Sequence, residues 1–489
     1  MGIPLIIIIF ERQNFRTMIG RIKEQQTLKE AYKSEYSQFV AVYGRRRIGK
    51  TFLVRETFGY NFTFQHAGAA KEALKGQLAL FRMSLQDFGH KECPELKSWH
   101  DAFNQLKVLI QASKSKKKII FLDEAAWMDT PKSNFLSALE HFWNNWASNR
   151  KDILLIICAS ATSWIINKVF RNRGGLHNRV TVRIPLAPFS LKECEQYSIK
   201  NGLKFSRYQI LNLYMVMGGV ALYWSMLDRH SSAVQNIDQL FFNKDAKLKG
   251  EFNDLYDSLF KHPDAYKAIV VTLGKHLSGL TRKELLKYTG QADNGVFSDR
   301  LEELEECGFI LKMRLFPKDK KESVYKLCDN YTIFYFKYIK SNSGIDDFWT
   351  RNFKSPSIKS WSGFAFERVC LQHVGQIKKA IGISGVATTE HTWRFVPENG
   401  EKDVQGAQID LLIDRDDNVI NVCEMKWASG EYAIQKKEDA DIRNKVSALE
   451  RETGTRKAVH VTLVTTYGIK HNMYYDGIQS EVVLDQLFE

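Results

Sequence analysis

The sequence predicts an α/β protein of several domains: a parallel sheet carrying a helical subdomain, then a small helix-and-strand unit, then a second α/β unit. Three observations predict it. Over residues 18 to about 250, short apolar runs alternate with helix-like stretches, the pattern of successive βαβ units. From 255 to 340, shorter helices are followed by two strands around a lysine-rich turn. Beyond the polar stretch 341–360, read as a linker, a helix, a hairpin and further strands occupy 361–489. No internal repeat is visible.

Composition bounds this reading. A chain of 489 residues holds two to four domains, and 44% hydrophobic with 12% aromatic residues excludes a disordered or fibrous protein. Lys+Arg outnumber Asp+Glu by 70 to 56, a formal net charge of +14. The excess is uneven: residues 361–489 hold 15 basic and 20 acidic side chains, so the first 360 residues carry a net +19. Attraction for nucleic acid therefore belongs to the front three-quarters of the chain. The seven cysteines (93, 158, 194, 307, 328, 370, 423) are scattered without a CxxC pair, which argues against disulfides and structural zinc and for a cytoplasmic setting. The longest uncharged apolar run, Ile3 to Phe10, is far shorter than the roughly 20 residues that span a bilayer, so no membrane partner is expected. It also lacks the basic and cleavage regions of a secretory signal.

The sharpest chemical signal begins at a buried-strand run, Phe39 to Tyr43, followed by Gly44-Arg45-Arg46-Arg47-Ile48-Gly49-Lys50-Thr51 and a helical stretch. This is GxxxxGK[ST], the P-loop or Walker A pattern, in its strand–loop–helix context. Glycines let backbone N–H groups wrap phosphates, and the helix N-terminus adds positive potential. Lys50 is the candidate for the β- and γ-phosphates of ATP, and the Thr51 hydroxyl for Mg²⁺. A second strand, Ile119 to Leu122, ends in Asp123-Glu124, a Walker B pattern. Asp123 would hold Mg²⁺ through water, and Glu124 would polarise the attacking water, which favours hydrolysis over passive binding. A third strand, Ile153 to Cys158, ends in Ala159-Ser160-Ala161-Thr162. Its tip is where a γ-phosphate sensor belongs, with Ser160 and Thr162 as the two candidates. Arg179, after Gly174-Gly175, is a candidate cation for the phosphates in cis or in trans.

Met18-Ile19-Gly20-Arg21, with Glu24 and Leu28, resembles the box that precedes Walker A in AAA-type and related signal-transduction (STAND-like) ATPases. In those proteins this box, here Gly20 and Arg21, lies near the adenine. Together with the P-loop, FLDEAAW, CASATSW, GGLHNRVTVRIPLAPFSLKE and MGGVALY, the sequence is similar to prokaryotic ATPases that carry a PD-(D/E)XK-like C-terminal domain. The resemblance covers 18–489, leaving residues 1–17 as an extension. One departure is Ala221, where relatives usually place proline.

Residues 264–328 read as a winged helix. Asp264–Leu277 is a first helix, and Thr281-Arg282-Lys283-Glu284 is a capping box that opens a second. Phe297, Leu301 and Leu304 set the apolar face of a third, before strands 309–315 and 324–328 around the wing Pro317-Lys318-Asp319-Lys320-Lys321. The third helix carries Asp299, Glu302, Glu303, Glu305 and Glu306 against Arg300 alone. Phosphates would repel it in a major groove, so a structural or protein-contacting role is favoured, with the basic wing as the DNA contact.

In the last unit, Gln408 to Ile413 and Val419 to Trp427 form two strands around the turn Asp416-Asp417-Asn418, which brings Asp410 back beside Glu424. Glu424 and Lys426 share a face by the period-two rule. Two carboxylates and an ammonium suit Mg²⁺ and phosphodiester attack. The pattern resembles the PD-(D/E)XK nuclease core, which implies Asp410, Glu424 and Lys426 as catalytic residues, Asp410 and Glu424 as metal ligands, and Glu367 as the acid from the first helix. The reading that follows is an Mg²⁺-dependent ATP-binding and hydrolysing protein coupled to a nuclease-like domain, with DNA as candidate partner and a nucleotide-dependent homo-oligomer as candidate assembly. The alternative is an ATP-operated switch whose nuclease-like domain binds a partner and cuts nothing.

Overall fold

The computed structural model describes residues 18–160, 164–171, 176, 178–260, 262–317, 323–397 and 405–489. The extension 1–17, Thr162 and the wing residues Lys318 to Lys321 fall outside them. Among the described residues the strands form two sheets. The first contains β1 (Gln38–Tyr43), β2 (Phe64–Ala67), β3 (Lys118–Asp123), β4 (Ile153–Ala159) and β5 (Val182–Pro185), all parallel, in the order β2-β3-β4-β1-β5. Its central strands are continuous apolar runs because both faces are covered: every residue of β4 is buried. The phosphate-loop strand β1 and the acid-bearing β3 flank β4, so their C-terminal ends converge around its tip.

Helices Leu191–Lys200 and Arg207–Met217 follow, each opened by a capping box in which a serine and a Glu or Gln satisfy one another's backbone donors. Their apolar faces do not close a core of their own. One continuous apolar cluster runs from Phe189 through these helices to Phe488.

The second sheet is mixed. It contains β6 (Leu280–Thr281), β7 (Ile310–Leu315), β8 (Ser323–Leu327), β9 (Thr388–Phe395), β10 (Ala407–Arg415), β11 (Val419–Lys426), β12 (Ala458–Thr465) and β13 (Ser480–Val483). Their order is β13-β12-β11-β10-β9-β7-β8-β6. The helices expected at 264–328 appear as Pro263–Lys275, Arg282–Thr289 and Gly295–Glu306, with Thr281 and Glu284 forming the capping box. The acidic third helix faces the first sheet's layer: Arg171 forms a bidentate ion pair with Glu302, and Asn167 Nδ2 donates to Glu303 at 3.5 Å.

Two features differ from the sequence reading. The C-terminal strands are not a separate sheet, because Arg314 and Leu315 of β7 pair in parallel with His391 and Thr392 of β9. The stretch 341–360, expected as a linker, is helical over Phe348–Asn352 and again from Pro356. Its polarity conceals Trp349, buried edge-on against Trp361 with ring centroids 5.8 Å apart. The Asp238 carboxylate also accepts the backbone N–H groups of Trp349 and Thr350, at 2.7 and 2.8 Å. Across the same core, His373 Nε2 accepts the Leu191 N–H at 3.2 Å, while its Nδ1 lies 2.8 Å from the Val369 carbonyl.

Candidate functional site

The P-loop turns where its residue types allow it to. Gly44 has φ +140°, and a Cβ there would sit 2.3 Å from the Leu186 carbonyl oxygen, so only glycine fits. Gly49, at φ +92°, opens the helix Lys50–Thr57. Lys50 is buried, and its ammonium donates to the carbonyls of Gly44 at 2.8 Å and Arg45 at 2.7 Å. Thr51 Oγ1 donates to Asp123 Oδ2 at 2.7 Å. This hydroxyl and carboxylate are hard oxygen donors at the loop's helix end, a donor set that fits Mg²⁺. Burial raises the proton affinity of Asp123; the Thr51 hydrogen bond opposes this and the neighbouring Glu124 adds to it. Glu124 lies in the left-handed region at φ +46° and accepts from Ser160 N at 3.2 Å and Ser160 Oγ at 2.6 Å. The tip of β4 thus meets the acid that follows β3.

A cavity of about 720 Å³ opens beside these groups. Gly49, Lys50, Thr51, Glu124 and Ser160 line it, together with Met18, Ile19, Arg21, Phe189 and Tyr197. Arg21 donates to the Ala187 carbonyl at 2.6 Å and lies 4.9 Å over the Phe189 ring. Gly20 is pressed against Glu193, whose Oε1 would be 2.3 Å from an added Cβ. Ala221 lines the cavity beside Gly49, and the next residue, Leu222, donates its N–H to the Arg47 carbonyl at 3.1 Å. Tyr197 carried no motif that could have marked it, and Phe189 stood within the segment PLAPFSLKE without being singled out.

The three arginine side chains of the loop go to different places. Arg45 turns away from the cavity into an ion pair with Asp329, its guanidinium 4.9 Å from the centre of the Phe309 ring. Arg47 lines the cavity but is ion-paired with Glu251, which also accepts the Tyr223 hydroxyl at 2.5 Å. Arg46 and Ile48 line the cavity. Arg179 is exposed and does not line it; within one chain this arrangement supplies no contact from it.

The C-terminal residues come together with additions. Leu411 pairs with Cys423, so the antiparallel register places Asp410 opposite Glu424. Lys426 Nζ is 3.7 Å from Glu424, and Lys445, from the helix Lys436–Thr453, donates to the same carboxylate. Lys326 of β8 donates to Asp410 Oδ1 at 2.7 Å, and Gln408 donates to the same oxygen at 3.0 Å. Burial opposes the charge on Asp410, but Lys326 holds its carboxyl below the usual range. Glu367, on the helix Pro356–Gln372, is pushed up to about 7 by burial and then by the charges of Asp410 and Glu424. A cavity of about 300 Å³ lies over Glu367, Asp410, Lys326 and Arg368. Among the described residues no group of three His, Cys, Asp or Glu side chains is gathered to hold a metal ion. Lysines occupy two of the three expected ligands, Lys326 on Asp410 and Lys445 on Glu424.

Residues 18–221 match the family described as "ATPase domain predominantly from Archaea". The chain is 25% identical over 430 residues to the uncharacterized protein MJECL04 of Methanocaldococcus jannaschii, covering 84% of this chain and 87% of that one. In structure it is similar to the Walker-type ATPase paby2304 of Pyrococcus abyssi, at 16% identity and a TM-score of 0.49, over 66% of this chain and 97% of the other. A STAND protein with a tetratricopeptide repeat sensor, PH0952 from Pyrococcus horikoshii, matches at 15% identity and a TM-score of 0.31, over 74% and 55%. Among the described residues no helix is long and apolar enough to cross a membrane. The stretch that matches this ATPase family, residues 18–221, is also the one that holds the phosphate-loop turn with Lys50 and Thr51.

Proposed function

We propose that this chain is an Mg²⁺-dependent ATPase whose nucleotide occupancy is coupled, through a winged-helix unit, to a PD-(D/E)XK-like domain acting on DNA. The units are 18–250, 255–340 and 361–489, with 341–360 as a helical connection. One observation carries the reading. The Thr51–Asp123 hydrogen bond, the buried Lys50 and the Ser160-held Glu124 converge on one cavity at the ends of adjacent strands. The backbone N–H groups of Gly44 to Gly49 would wrap the phosphates, and Lys50 would exchange its two carbonyl acceptors for β- and γ-phosphate oxygens. Thr51 and Asp123 would hold Mg²⁺, which when bound neutralises charge on the phosphate oxygens. Glu124 would align a water, with Ser160 fixing its carboxylate. Gly20, Arg21 and Phe189 would bound the adenine end.

DNA is favoured as the macromolecular partner by the net +19 of the first 360 residues and by the carboxylate–lysine cluster at Asp410, Glu424 and Lys426. A specific observation favours the second reading, a nucleotide-operated switch that cuts nothing. The acidic third helix spends Glu302 and Glu303 on Arg171 and Asn167, which suits a protein contact rather than a groove.

ATP turnover with and without DNA separates these readings. Wild type should hydrolyse ATP and Lys50→Ala should not. Glu124→Gln should bind nucleotide but turn over at least about a hundredfold more slowly. Turnover no faster than that of Lys50→Ala would refute the ATPase reading. Nicking of plasmid DNA with Mg²⁺ or Mn²⁺, lost in Asp410→Ala and Glu424→Ala, supports cleavage. Nucleotide-dependent oligomerisation without nicking supports the switch.

A further inference from the structure

The strand β8 and the corner that follows it touch both candidate sites. Lys326, only 6% exposed, donates to Asp410 of the C-terminal cluster. Three residues later Asp329, 4% exposed, is ion-paired with Arg45 of the P-loop. The corner between them is stiff. The N–H groups of Cys328 and Asp329 both donate to the Phe309 carbonyl, at 2.9 and 3.2 Å, and the Phe309 ring lies under the Arg45 guanidinium. Asp329 Oδ2 also accepts Thr332 N at 3.0 Å and caps the helix Asn330–Phe334.

On the other side of that pair, the Arg45 carbonyl is one of the two acceptors that hold the Lys50 ammonium. P-loop chemistry requires this ammonium to move onto phosphates. The residue that loses a backbone bond when nucleotide arrives is therefore the one whose side chain anchors Asp329. A second guanidinium is at hand. Arg368, the residue after Glu367, is buried with Nε and Nη2 unpartnered, and lies close enough to Asp329 to feel its charge.

We propose that Asp329 is a positioning residue that couples the P-loop to the C-terminal site. With Lys50 folded onto the loop carbonyls, the Arg45–Asp329 pair sets β8 so that Lys326 occupies Asp410. Engagement of Lys50 by phosphates loosens that pair and withdraws Lys326, leaving Asp410 available beside Glu424 and Glu367. This rests on the proposed P-loop reading. It accounts for a ligand set that is brought together yet held by lysines.

The test uses the full chain and a fluorescent, non-hydrolysable ATP analogue with Mg²⁺. Hydrogen exchange of segments 323–329 and 407–411 should speed up by at least about threefold when the analogue binds wild type. Asp329→Asn removes the charge that pairs with Arg45 and keeps an oxygen to cap the helix Asn330–Phe334. It should keep analogue binding and weaken the response. Binding and coupling are reciprocal, so Lys326→Met should tighten the analogue by about fivefold. Exchange in both segments that ignores a bound analogue, or a response that persists undiminished in Asp329→Asn, overturns the coupling. A wild type that binds no analogue overturns the P-loop reading and this proposal with it. Coupling observed without DNA nicking supports the proposal and removes only cleavage.

Discussion

The buried imidazole of His373 makes the packing of the helix Pro356–Gln372 against the helix Leu191–Lys200 sensitive to acid. His373 is 2% exposed, accepts the Leu191 N–H through Nε2 and faces the Val369 carbonyl through Nδ1, an arrangement that suits one neutral tautomer. Burial, partly offset by the Val369 carbonyl, lowers its proton affinity from 6.5 to about 4. In the unfolded chain the ring takes a proton near 6.5, so between these values the unfolded state binds more protons. Stability from this group is complete above pH 6.5 and is lost as pH falls toward 4. The full loss is about 3 kcal/mol, of which about 2 kcal/mol has gone by pH 5. His373→Gln keeps an acceptor for Leu191 and removes the titration. Urea unfolding at 25 °C from pH 7.5 to 5 should give a wild-type stability that falls by about 2 kcal/mol more than the variant's. Parallel pH profiles for the two proteins would show that this ring is not the titrating group.

Gly20→Ala places a Cβ where φ is +58° and Glu193 is 2.3 Å away, so it should cost about 1–2 kcal/mol. It should also weaken nucleotide binding through the displaced Arg21, read by thermal melts and analogue titration. Arg171→Ala removes an ion pair whose side chains are 52% and 39% exposed, so the melt should move by less than about 1 kcal/mol. A larger loss would mean that the acidic helix is held mainly by this pair. Ser160→Ala removes the hydroxyl that donates to Glu124 at 2.6 Å and leaves only the Ser160 backbone N–H on that carboxylate. Steady-state assays should show lower turnover at nearly unchanged nucleotide affinity.

The phosphate loop was legible because its constraints are local: glycines at Gly44 and Gly49, and Lys50-Thr51 opening a helix, are needed wherever the loop occurs. The pairing of Asp410 with Glu424 was legible for a similar reason, since a turn fixes register over a short span. Side-chain destinations were not. Arg45 finds Asp329 across 284 residues, and Lys326 finds Asp410 across 84, which no local pattern encodes. A lysine within the buried run Val324-Tyr325-Lys326-Leu327 was the available hint, because such a charge needs a partner. The linker was misread because hydropathy averages over residues, and two tryptophans spaced among lysines and serines can still seal a core.

The seam between β7 and β9 limits how the molecule can be divided. It is narrow, two registered residue pairs with the Phe316 N–H donating to Thr392 at 3.0 Å, yet it makes one ladder of strands from opposite sides of residues 341–360. A cut in that stretch would leave a raw β7 margin on one fragment and a raw β9 margin on the other, each a template for foreign strands. Fragments made there would tend to clump or to recombine in trans, and the C-terminal unit cannot swing out as a tethered tail without first unzipping this seam.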